Sequence, residues 1–89
     1  MPLRKPRPEG VQPLYDVRVA KNMTQLELAK ATSIPQPRIS ELETGRYVPT
    51  RLWLVKLTKV LRLRPEDLFS EAILAEVERR YKVAKVGAR

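Results

Sequence analysis

Between residues 14 and 70 the apolar positions recur three and four residues apart, in short segments broken by proline, glycine or a capping hydroxyl. That period is helical, and no alternating run is long enough to compete as a strand. Leu14, Val17 and Ala20 share one side of a first helix over residues 14–21, which Asn22 interrupts. A second helix opens at Thr24. Its hydroxyl can accept from the third helical amide while Glu27 reaches back to the cap's own N–H, and Met23 and Leu28 are spaced for a hydrophobic staple. This helix is expected to end near Thr32 and Ser33. Pro35 and Pro37 are tolerable only outside a helix or in its first turn. A third helix therefore covers roughly residues 36–44, with Ile39 and Leu42 inward and Gly45 as its stop. Pro49 and Thr50 open a fourth helix through Leu61. Pro65, followed by Glu66 and Asp67, opens a short fifth. Residues 71–85 read as a further helix. Phe69, Ile73, Val77 and Tyr81 recur every four residues with Leu74 beside them, and Glu76–Arg80 and Glu78–Lys82 stand in the favourable i,i+4 order. The expected fold is all-α: a bundle of five helices, then a C-terminal helix.

Residues 1–13 break the pattern. They hold four of the eight prolines, with Arg4, Lys5 and Arg7, and read as a flexible basic arm: an unstructured terminus, or a segment that lies along a DNA groove. The chain thus divides into an arm over 1–13, a helical domain over 14–70, and a C-terminal helix and tail over 71–89. Its 89 residues suffice for one small domain. With no Cys and no His there is no disulfide, no zinc–thiolate site, no imidazole base and no Ser-His or Cys-His machinery. Three glycines leave no phosphate-binding loop. The adjacent acids Glu66 and Asp67 are explained by a helix start. No cofactor, no metal and no enzymatic chemistry are expected. The balance of 18 basic to 10 acidic residues, net +8, suits a polyanionic partner. The longest apolar run, Leu52 to Val55, is too short to span a bilayer. No apolar stretch follows the basic N-terminus to make a secretory signal, and the Glu content of residues 71–85 argues against a helix lying on a membrane. A cytoplasmic nucleic-acid binder is expected.

The second and third helices are joined by a turn of helix-turn-helix length. Met23-Thr24-Gln25-Leu26-Glu27-Leu28-Ala29, then Ile34, then Ile39-Ser40-Glu41-Leu42-Glu43-Thr44-Gly45-Arg46 and Pro49, resemble the phage-repressor and Cro-type (xenobiotic-response-element-like) helix-turn-helix family. The resemblance continues through Leu54, Leu57 and Leu61 to Pro65-Glu66-Asp67-Leu68-Phe69, so it covers about residues 14–69. It implies a repressor-type bundle in which the third helix enters the major groove of double-stranded DNA. With Ile39 and Leu42 inward, the wheel leaves Gln36, Pro37, Ser40, Glu41 and Thr44 outward. Gln36 can pair with adenine, Glu41 can accept from cytosine, Ser40 can read either kind of base, and Pro37 offers van der Waals contact alone. The resemblance places DNA-backbone contacts at Gln25 and Thr44. Thr24, at the same helix N-terminus, and Arg38, Arg46, Tyr47 and Arg51 are further backbone candidates from charge and proximity. The resemblance also implies a structural ion pair between Arg18 and Glu43. Ser33 stands where the family usually has Gly, with a cost of about 1 kcal/mol if it is left-handed. Thr32 replaces a common Leu, which predicts a weaker corner of the core. Arg64 stands where a Ser-type cap is usual.

Leu54, Leu57 and Leu61 make one core stripe on the fourth helix, yet Leu52, Trp53, Val55 and Val60 add apolar surface outside it. A second subunit could cover it, with Trp53, Val60, Ile73, Val77 and Tyr81 at a homodimer interface, or the last helix could fold back over it. The expected function is a homodimeric transcriptional regulator, most simply a repressor. The competing reading is a protein-interaction module of the same fold, an antitoxin or an adaptor that touches RNA polymerase, with an unidentified protein partner.

Overall fold

The computed structural model describes residues 10–87. They form α1 (Pro13–Ala20), α2 (Gln25–Thr32), α3 (Gln36–Glu43), α4 (Arg51–Leu61), a 3-10 turn (Pro65–Asp67) and α5 (Glu71–Gly87), with no strand among the described residues. The basic arm expected over residues 1–13 lies outside the described residues as far as residue 9.

The helix starts follow their caps. Glu27 donates its N–H to Thr24 Oγ1 at 3.0 Å and the Thr24 N–H donates to Glu27 Oε1 at 2.8 Å, which satisfies two end donors reciprocally. Thr50 Oγ1 accepts from the Trp53 N–H at 3.1 Å. The short fifth helix is a single 3-10 turn. Without a serine cap, the Arg64 N–H donates to Asp67 Oδ2 at 3.0 Å, and the chain then turns in to bury Leu68 and Phe69.

Leu14, Leu28, Ile34, Ile39, Leu42, Leu57, Leu61, Leu68 and Phe69 form one core. On α1 the buried face is Leu14 and Arg18, whereas Ala20 is exposed. At α2 the thinner corner expected from Thr32 is closed by hydrogen bonds. Its buried hydroxyl donates to the Leu28 carbonyl at 2.8 Å and accepts from the Ile34 N–H at 3.3 Å.

Residues 10–12 belong to this folded unit. Gln12 is 95% buried, only 5% of it exposed. Its N–H donates to the Glu43 carbonyl at 2.8 Å, its Nε2 to the Gly10 carbonyl at 2.9 Å, and its Oε1 accepts from the Ser70 N–H at 2.8 Å. The Leu14 N–H donates to the Leu68 carbonyl at 2.9 Å. Gly45 lies beneath, at φ +77°, where a Cβ would stand 2.4 Å from the Gly10 carbonyl oxygen. Only glycine fits there.

α5 folds back on its own chain. Val77 is 4% exposed, and Ile73 and Leu74 pack against the core. Val77 and Arg80 face residues 47–51 across a cleft. The expectation that Val77 forms a surface between subunits is therefore corrected: its own chain already buries it. The side chain of Tyr81 lies outside the described residues.

Candidate nucleic-acid interface

α2 and α3 are joined through Ser33, Ile34 and Pro35. Ser33 is left-handed, at φ 60° and ψ 29°, the conformation in which the cost anticipated for a residue with a side chain applies. Ile34 is buried and pins the turn, its N–H donating to the Ala29 carbonyl at 3.2 Å. Pro35 caps α3 with extended backbone, and Pro37 falls in the first turn, where its missing N–H costs no intrahelical hydrogen bond.

Ile39, Leu42 and Glu43 are buried under α3. On the opposite side Gln36 and Pro37 are exposed and Ser40 and Glu41 half-buried. Thr44 is also exposed, with its hydroxyl turned back to the Ser40 and Glu41 carbonyls, each at 3.2 Å.

Glu43 receives three donors from two other helices. Arg18 Nε donates to Glu43 Oε2 and Arg18 Nη2 to Oε1 at 3.1 Å, a bidentate pair. Gln25 Nε2 donates to Oε1 at 3.0 Å. Arg18 Nη1 donates to the Met23 carbonyl at 2.7 Å. The hydrogen bond to Glu43 holds the Arg18 guanidinium above its ordinary pKa, against burial. α1, α2 and α3 thus meet on one carboxylate. The Gln25 amide nitrogen is occupied there, so what Gln25 can offer an anion is its backbone N–H at the start of α2. The Thr24 hydroxyl is likewise committed to its cap.

Beyond α3, Arg46 is exposed and makes no ion pair among the described residues. Arg51 meets Glu78 at 3.5 Å in an exposed pair, a contact worth about 0–1 kcal/mol and easily exchanged. Arg38 is different. Its Nη1 donates to Glu41 Oε1 at 2.5 Å, and its Cζ stands 4.3 Å from the Tyr47 ring centroid. Tyr47 in turn packs on Trp53, centroids 5.9 Å apart. Of this cluster, the i,i+3 spacing of Arg38 and Glu41 is visible in the sequence, whereas the Tyr47 stack depends on how the 45–50 loop returns.

Among the described residues no helix is long and apolar enough to cross a membrane, and no group of three or more His, Cys, Asp or Glu could hold a metal ion.

The family model described as helix-turn-helix matches residues 14–68. Two HTH-type transcriptional regulators of Archaeoglobus fulgidus are 39% and 37% identical to the chain over 56 residues, 63% of this chain and 80% and 79% of theirs. Among solved structures, the restriction-modification controller protein C.AhdI from Aeromonas hydrophila matches with a TM-score of 0.59 at 26% identity, covering 64% of this chain and 86% of that one.

Proposed function

The chain belongs to the helix-turn-helix family, of the Cro/C1 type, and on that premise we propose that it is a sequence-specific, double-stranded-DNA-binding transcriptional regulator, a cytoplasmic homodimer that acts as a repressor. The observation that carries this reading is the polar face of α3. Gln36 and Pro37 stand open, with Ser40 half-buried beside them, on a helix whose opposite face is locked into the core, in a protein of net charge +8. In this reading Gln36 pairs with adenine, Ser40 adapts to either kind of base and Pro37 packs on the groove. Glu41 shares that face. Backbone amides at the start of α2, with Thr24, Gln25, Thr44, Arg46 and Arg51 around the rim, meet phosphates and set register.

A salt titration tests the proposal. If the rim neutralises about 6–8 phosphates per dimer, log affinity against log salt should have a slope of roughly −5 to −7 on duplex DNA. A flat titration would favour the interaction module. That alternative draws on the exposed Leu52, Val55 and Val60 of α4, which would then receive a protein partner.

A further inference from the structure

Arg38 was expected at the rim as a phosphate contact, but its surroundings suit another task. A phosphate contact draws its affinity chiefly from the charge it neutralises, and lysine serves there as well as arginine, whereas a base edge requires a fixed fork. Arg38 has the reverse endowment. Its charge is largely offset by Glu41, whose Oε1 accepts from Nη1 at 2.5 Å. Its orientation is set on a second side by the Tyr47 ring at 4.3 Å, and that ring is itself held by Trp53. Stability does not account for the arrangement. The Arg38 and Glu41 side chains remain 43% and 39% exposed, and solvent screens such a pair. What the cluster supplies is a guanidinium whose rotamer freedom is already restricted. Nε and Nη2 have no partner among the described residues.

Resting on the reading that α3 enters the major groove, we propose that Arg38 determines specificity by bonding bidentately to the O6 and N7 of a guanine, and that Glu41 and Tyr47 are its positioning residues. A near-neutral but oriented fork discriminates between base edges while adding little attraction to random DNA. Glu41 then buttresses a guanine reader and does not itself accept from cytosine. Its acidity, unfavourable near phosphates on its own, is cancelled by the arginine that it orients.

The test is in vitro selection from randomised duplexes with the full chain, followed by titration of selected and random duplexes at several salt concentrations. Wild type should enrich a guanine at one fixed position of the site. Arg38→Lys, which keeps the charge but loses the fork, should lower that preference about 10- to 100-fold and leave random-duplex affinity and the salt slope nearly unchanged. Glu41→Gln and Tyr47→Leu should weaken the same preference at the same position, whereas Tyr47→Phe, which keeps the ring, should retain it. Thermal melts of each variant separate these losses from unfolding. Equal loss on selected and random duplexes in an Arg38→Ala variant, with the slope reduced by about one per subunit, would make Arg38 a phosphate contact and overturn the proposal. A Glu41→Gln variant that loses a cytosine at some other position would overturn the positioning role. Failure of the wild-type chain to bind any duplex would defeat the DNA-binding reading itself, and this assignment with it.

Discussion

Glu43 bears more of the architecture than any other single side chain near the interface. It is 2% exposed, paired with Arg18, and bonded by Gln25. A carboxylate so placed tolerates the interior only while its donors remain. Removing one partner of such a pair costs about 3–5 kcal/mol, a large share of a small domain's stability. Arg18→Met and Glu43→Leu singly should therefore lower the melting temperature sharply, and the two together should recover part of the loss. Single variants that melt with the parent would show that the pair carries no stability. The pair was legible in the sequence through its positions in the family pattern. Gln12 was not. A glutamine just before Pro13, in a proline-rich stretch, carries no local signal, because its role depends on an acceptor at Glu43 and a donor 58 residues away at Ser70. Thr32 was misjudged for a related reason. Its volume is evident in the sequence, whereas the bond that its hydroxyl accepts from the Ile34 N–H exists only once the turn has formed.

The four short helices are marked in the sequence by proline, threonine and glycine, each of which acts on the backbone within a few residues, and they form within a residue or two of where those signals put them. Longer-range placement is where the sequence falls silent. The four-residue apolar recurrence of α5 states that one face is covered but not by what. The structure answers for Val77, which α5 packs against its own chain. Val77→Ala should consequently destabilise the monomeric unit by about 1–2 kcal/mol, read as a drop in denaturant midpoint whose size does not vary with protein concentration. A loss that grew on dilution would return Val77 to a contact between subunits. On the recognition side, the outward face of α3 could be read from two inward residues, Ile39 and Leu42. The Arg38–Tyr47 stack could not, since it joins a helix to the loop that follows the Gly45 stop.

At the scale of the molecule, the folding back of α5 moves any dimer contact to the outer face of α4. Leu52, Val55 and Val60 lie there at 61%, 48% and 37% exposure, with Lys56 and Lys59 on the same side. Apolar side chains exposed together and rimmed by polar ones mark interaction surfaces. A twofold contact would also bring two recognition helices to half-sites about 34 Å apart. Light scattering at micromolar concentration should give about twice the chain mass of 10.3 kDa, and Leu52→Lys with Val55→Lys should return it to the monomer value with the fold intact. A monomeric wild-type mass, free and on DNA, would remove the interface. The clasp at Gln12 bears on how the molecule is made. Its partners and that of Leu14 lie at Glu43, Leu68 and Ser70, so a chain still growing on the ribosome can set α1 on the end of α3 but cannot fasten the clasp until residue 70 has emerged. The clasp therefore closes in a late step, after the helices that it joins. In native-state hydrogen exchange the amides of Gln12, Leu14 and Ser70 should accordingly open together, and only with the whole domain; faster exchange at Gln12 alone would mean that the clasp frays while the reader persists.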